Sequence, residues 1–157
     1  MQARMKKHPL STEQIENLLR GEHVGRLATL GEDGFPYVIP VHFAHAGGCL
    51  YIHGLAAGEK LDNIRKNPNV GFEADTMRSL LHGEEPCNTN TEYESVVVRG
   101  RASIVDDPAL KIAALDAIVA KYTPQHAGKA YPENMLKMTA VIAVSMDSCT
   151  GKYYPAQ

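Results

Sequence analysis

The sequence predicts a mainly β protein with peripheral helices, organised as a six-stranded antiparallel barrel that is closed or nearly closed. Six segments have the short apolar or alternating pattern of β-strands, and turn-forming residues separate them. Two longer segments carry apolar residues at helical spacing. A barrel is expected because closure removes the unpaired edges of an open sheet. The 157 residues are expected to form one domain over residues 1–157.

The composition excludes several classes of protein. The net charge is -2 and the Lys and Arg residues are scattered, which argues against a nucleic-acid partner. No apolar run has the length of a membrane span, so no membrane partner is expected. Three well-separated cysteines, Cys49, Cys87 and Cys149, favour reduced thiols, and we expect a cytoplasmic protein.

The first predicted element is a helix at about residues 11–20. Ser11 can accept from the backbone of Gln14, and the Gln14 side chain can return a hydrogen bond, which is the pattern of a capping box. Gly21 is a suitable residue to end the helix.

A three-stranded meander is predicted next, with strands at 23–30, 37–43 and 49–53. An Asp-Gly step and a Gly-Gly pair supply the two turns between them. Pro40 lies inside the second strand and has no N–H to donate to a ladder. We therefore expect free backbone groups near Pro40, and such groups can bind a ligand.

A short helix at 58–66 and a fourth strand at 70–74 follow. Residues 75–91 lose the apolar pattern and are predicted to be a long polar loop, either mobile or acting as a covering flap.

The last part of the chain predicts two strands and a long helix between them. Residues 92–105 form a long strand in which Gly100 permits a bend or bulge. An amphipathic helix is expected at about 107–122, a short helical piece at 132–137, and a buried strand at 139–146.

The segment around Lys60 is the clearest candidate binding site. Lys60 follows Gly58 at a predicted helix start, where free N–H groups, the helix dipole and a lysine together favour an anion such as phosphate. His53, at the end of the third strand, could face the same anion. The alternatives are a solvent-facing lysine and a structural or solvated histidine.

Other chemistries have weaker support in the sequence. A metal site at His42 and His53 lacks a third ligand, so no metal is expected. The sequence has no GxSxG or HExxH motif. Cys87 has no basic partner nearby in the sequence, and Arg99 and Arg101 are more typical of subunit salt bridges than of a ligand site.

Five motifs follow one another along the chain: YVIPVHF, a Gly-Gly turn, LYIH, GEKLDNIRKNPNVGFE and EYESVVVRGRASIVDDP. In this order and spacing they resemble the pyridoxamine 5'-phosphate oxidase-related flavoprotein superfamily. Within it, they are most similar to the nitroimidazole-resistance (Nim-type) branch. The resemblance extends from about Ser11 to Lys152.

The resemblance implies a split-barrel fold and a homodimer that binds a flavin, usually FMN and otherwise FAD, in a groove shared by both subunits. It also implies that backbone at Pro40–His42 faces the flavin ring, that Tyr51–His53 runs beside the ribityl chain, and that Lys60 holds the phosphate. Ser95 corresponds to a position that reaches the flavin from the partner subunit, and His53 is the candidate catalytic residue. The cofactor-binding set is Pro40, Val41, His42, Tyr51, Ile52, His53, Lys60 and Ser95.

The expected function is flavin-dependent reduction of a small acceptor such as a nitroaromatic compound, with NADH or NADPH as a transient donor. The sequence has no GxGxxG motif, so no resident nicotinamide domain is expected. Pyridoxamine-phosphate oxidases carry an Arg-Lys pair where this chain has Glu59-Lys60, which argues against vitamin B6 oxidation. The alternative is a non-catalytic flavin- or haem-binding protein on the same barrel, with haem less favoured.

Overall fold

The computed structural model describes residues 7–155. Four α-helices occur in this range: α1 (Thr12–Gly21), α2 (Glu59–Lys66), α3 (Pro108–Tyr122) and α4 (Glu133–Met138). The strands are β1 (Gly25–Leu30), β2 (Pro36–Val41), β3 (Phe43–Ala46), β4 (Cys49–Leu55), β5 (Asn69–Leu81), β6 (Asn90–Ile104), β7 (Thr139–Ser145) and β8 (Ser148–Tyr154).

The strands pair in the order β2-β1-β5-β6-β7-β4-β3, and β8 pairs with β6. All of these pairings are antiparallel. The predicted mainly β antiparallel fold with peripheral helices is confirmed. The strand number differs, because the described residues form eight strands instead of six, and the sheet is not closed.

One additional strand arises because the predicted strand 37–43 divides at His42. Before this residue, β2 pairs with β1, with Pro40 opposite Arg26. After it, β3 pairs with β4, with Phe43 opposite Ile52. β2 and β3, the first and last strands in this order, are therefore connected by the backbone at His42 and not by hydrogen bonds between strands. Pro40 is tolerated because β2 is an edge strand.

The other additional strand is β8, which the sequence pattern did not predict. Its residues, SCTGKYY, lack apolar alternation. They nevertheless complete a ladder along β6, with Val97 opposite Thr150. Because β6 is 15 residues long, its edge carries β8 along one part and β7 along another.

Gly100 lies on β6 between these two parts, as the bend predicted at this position requires. A Cβ at Gly100 would lie 1.6 Å from the carbonyl oxygen of Ser145. Only glycine permits this close approach of two backbones.

The predicted loop at 75–91 is wrong over most of its length. β5 continues to Leu81 and β6 begins at Asn90, so a β-ribbon replaces the loop. Its side chains pair across the two strands, as in the Arg78–Glu94 ion pair. None of residues 76–81 and 90–94 is buried, so neither face of the ribbon needs apolar residues, which explains the missing signal.

The main core lies between the sheet and the helices α1 and α2, and includes fully buried Phe43, Phe72 and Leu19. The predicted capping box of α1 is present, with Ser11 and Gln14 bonded to each other in both directions. A second cluster forms where α3 packs on β7, around buried Val141. Within residues 7–155, the helices are too short or too polar to cross a membrane.

Candidate functional site

Lys60 lies in the first turn of α2 between the acidic residues Glu59 and Asp62, and Asp62 pairs with Arg65. Gly58 is the N-cap residue, with φ 128°, and it has no side chain to accept a hydrogen bond from the first turn. The Lys60 ammonium lies 3.1 Å from the place where a Cβ of Gly54 would stand, so the glycine leaves room for it. In the part of the chain that the structure describes, Lys60 forms neither an ion pair nor a hydrogen bond. This end of α2 therefore has the chemistry of an anion site.

His53 lies on β4, one residue before Gly54, and pairs with Val141 of β7. Its pKa is lowered, first by partial desolvation and then by the positive charges of His42 and Lys60. The imidazole is therefore largely neutral at neutral pH and can donate or accept a hydrogen bond. His42, His53 and Lys60 form one basic cluster.

The side chains of Tyr51 and Ile52 point to opposite faces of β4. Ile52 is fully buried in the main core, so only its backbone can face a ligand. Tyr51 packs against the second cluster beneath α3, and desolvation raises its pKa.

The segment Pro40–His42 presents backbone at the edge of the sheet. Val41 is buried in the core, whereas Pro40 and His42 are exposed. The outer edge of β2 has no neighbouring strand among the described residues. Its backbone groups are thus accessible to a ligand, as the sequence predicts for the neighbourhood of Pro40.

Tyr122 is a site residue that the sequence did not reveal, since the pattern places it only within the amphipathic helix predicted at 107–122. The Tyr122 ring stacks on His42 with centroids 4.7 Å apart, and meets His23 edge-on at 5.6 Å. Its hydroxyl accepts the Phe43 N–H at 2.9 Å, and donates to the carbonyl of His23 at 2.7 Å or of Phe43 at 3.0 Å. Tyr122 thus satisfies backbone groups where the chain passes from β2 to β3. No local pattern could reveal a partner 79 residues away.

Ser95 is not brought together with the other predicted residues within one chain. It is buried on β6, opposite Asp75 of β5 and Lys152 of β8. The family resemblance implies that Ser95 reaches the flavin from a second subunit, and this stays a prediction.

No group of three or more His, Cys, Asp or Glu side chains in residues 7–155 is arranged to hold a metal ion.

A family model described as pyridoxamine 5'-phosphate oxidase matches residues 11–153. Among characterised relatives, the 5a,11a-dehydrotetracycline/5a,11a-dehydrooxytetracycline reductase of Streptomyces rimosus is 33% identical over 98 residues, which are 60% of this chain and 63% of that protein. The chain spans between 53% and 63% of the length of the curated relatives that it matches.

Solved structures share the fold over nearly the whole chain. A provisionally assigned 5-nitroimidazole antibiotic resistance protein of Bacteroides thetaiotaomicron has a TM-score of 0.82 at 25% identity, over 92% of this chain and 86% of its own. An FAD- and haem-binding protein of Mycobacterium smegmatis has a TM-score of 0.85 at 21% identity, over 93% of this chain and 72% of its own. The second likeness concerns the fold alone.

Proposed function

Because the chain belongs to the pyridoxamine 5'-phosphate oxidase family, we propose that it is a flavin-dependent oxidoreductase that reduces a small organic acceptor. The observation that carries the proposal is that Lys60, near His53 in the first turn of α2, forms no ion pair within residues 7–155, while the N-cap Gly58 has no side chain to cap the helix. This arrangement suits the phosphate of FMN, or the pyrophosphate of FAD.

Each group of the site has a separate task in this proposal. Lys60 and the first turn of α2 bind the phosphate, and the backbone at Pro40–His42 lines the flavin ring. His53, held neutral, donates or accepts a hydrogen bond with the acceptor. When bound, a flavin supplies the redox chemistry, taking a hydride from reduced nicotinamide and passing electrons on.

The acceptor class is proposed from the relatives. One relative reduces a dehydrotetracycline, and one structural neighbour is assigned to nitroimidazole resistance. Both names concern compact, oxidised ring systems, and we propose an acceptor of that kind, with nitroaromatic compounds as the first to test. We also place the protein in the cytoplasm, since Cys49, Cys87 and Cys149 are free thiols.

A second copy of the chain completes the groove in this proposal. Ser95 lies apart from α2 and β4 within one chain, and it shares a face of the sheet with exposed Val38 and Val97. Partly exposed apolar side chains on one sheet face are typical of a subunit interface. Sedimentation should show a dimer when flavin is bound, and a monomer that binds flavin stoichiometrically would contradict this assignment.

The decisive experiment is a titration of the purified protein with FMN and FAD, compared with a Lys60→Ala variant. Loss of a charge-assisted contact to phosphate should weaken flavin binding at least about tenfold. The matched control is Lys66→Ala, because Lys66 lies at the other end of the same helix and pairs with Glu32. Wild-type protein that stays colourless with both flavins would overturn the proposal, as would equal effects of the two variants.

The second candidate is a non-catalytic flavin- or haem-binding protein. The observation in its favour is the proximity of His42 and His53, since imidazole nitrogens are suitable haem ligands. A Soret band after haem addition, with no flavin band, would favour haem. A carrier would be favoured if the protein binds flavin but does not speed up its redox reactions. In that case the bound flavin is reduced by NADH or NADPH, and reoxidised by nitroimidazole, no faster than free FMN.

A further inference from the structure

A second basic pocket lies between α1, β3 and α3 and has a volume of about 390 Å³. This volume is near the lower end of the range for small-molecule sites. Its lining residues are Arg20, Ala44, His45, Ala117, Ala120 and Lys121. None of them belongs to the predicted flavin site.

Three basic side chains from three different elements line this pocket: Arg20 of α1, His45 of β3 and Lys121 of α3. Within residues 7–155 none of them forms an ion pair with a carboxylate. One guanidinium nitrogen of Arg20 donates to Asn17 at 3.0 Å, which leaves its other N–H groups available. The other lining residues are alanines, so no larger side chain fills the space between the three basic side chains.

The lysine amine is held in place. Lys121 Nζ donates to the Leu19 carbonyl at 2.9 Å and lies 3.7 Å from the centroid of the Phe43 ring. Desolvation lowers its pKa to about 8, although the carboxylate of Glu22 acts in the opposite direction. Lys121 is therefore still mostly protonated at neutral pH.

His45 lies among charged groups of α1 and α3. Its pKa is lowered first by desolvation and then by Arg20 and Lys121, while Glu16 of α1 raises it. Arg20 and Lys121 both disfavour the protonated form of His45, and a bound anion would relieve that repulsion.

We propose that Arg20, His45 and Lys121 form a binding site for the phosphate group of a small molecule. A phosphate offers at least three charged oxygens in a tetrahedral arrangement, so each of the three side chains can bind one or two of them. A carboxylate has two oxygens in a plane and a single charge, which leaves one of the three basic side chains without a partner. The site is distinct from the one proposed for flavin, because Lys60 and His53 take no part in it.

The test is an NMR titration of the full-length protein, which follows the imidazole resonances of His45. These resonances are assigned by comparison with His45→Gln. Inorganic phosphate and glycerol 3-phosphate are added separately, with ionic strength held constant by NaCl, and acetate is added as the anion control. We expect saturable shifts with either phosphate compound, a higher pKa of His45 at saturation, and little effect of acetate. Tighter binding of glycerol 3-phosphate would identify a phosphate ester as the preferred source, and equal or weaker binding would identify free phosphate.

Three variants decide the role of the pocket. Arg20→Gln should weaken phosphate binding at least about tenfold, whereas Arg65→Gln, an exposed arginine of α2 paired with Asp62, should leave it unchanged. Glu16→Gln should strengthen binding, because it removes an opposing charge. The proposal is overturned if the His45 shift is linear in phosphate concentration, or if Arg20→Gln and Arg65→Gln behave alike.

Discussion

Replacing Tyr122 by Phe tests the arrangement at the junction between β2 and β3. The substitution keeps the ring that stacks on His42 and removes only the hydroxyl. The backbone N–H of Phe43 then loses its acceptor, and either the His23 or the Phe43 carbonyl loses a donor.

The magnitude follows from the burial of this junction. The Phe43 side chain is fully buried, and its hydrogen bonds to Tyr122 are partly shielded from water. An unsatisfied buried donor costs about 1–3 kcal/mol, so we expect unfolding to require about 2 kcal/mol less free energy. For a chain of this length that corresponds to a decrease in Tm of about 4–8 °C.

Urea denaturation followed by circular dichroism measures the change, with Tyr131→Phe as control. Tyr131 also donates its hydroxyl hydrogen, at 2.7 Å to Asp116, but that pair is exposed. The control should therefore lose less than about 1 kcal/mol. Equal losses in the two variants, or a loss below about 0.5 kcal/mol in Tyr122→Phe, would refute the reasoning.

Two further predictions concern packing and titration. Gly100→Ala should lower the free energy of unfolding by about 3 kcal/mol or more, because its Cβ would overlap the Ser145 carbonyl. The control in the same denaturation experiment is Gly71→Ala, whose Cβ would lie 3.7 Å from Ala28. Similar losses of stability in the two variants would contradict the close packing at Gly100. Lys121 has a folded pKa of about 8 against an ordinary value of 10.5, so between these pH values the unfolded chain binds more protons and this group makes stability rise with pH. Relative to Lys121→Met, the wild type should gain stability from pH 8 to 10, and parallel pH profiles would show that the lysine is not desolvated.

Much of the architecture was predictable because its signals are local. The capping box at Ser11 needs only residues within one turn of helix, and a continuous run of apolar residues predicts the buried strand β7. Gly58 and Lys60 likewise predict an anion site from neighbouring positions. The family motifs add a further signal, since their order along the chain is typical of one fold.

Interactions between distant segments were not predictable in the same way. The alternation of residues 37–43 continues through His42, so nothing local shows that β2 and β3 pair with different strands. β8 is polar, and its place is set by the free edge of β6 rather than by its own pattern.

By itself, therefore, the sequence determined the antiparallel β class, the family and the positions of Lys60 and His53 next to a helix start, because each depends on short-range spacing. Only the tertiary structure decided that Tyr122 completes the junction at His42 and that Arg20, His45 and Lys121 share one pocket. These residues come from helices and strands far apart in the chain, and only the folding of the sheet brings them together.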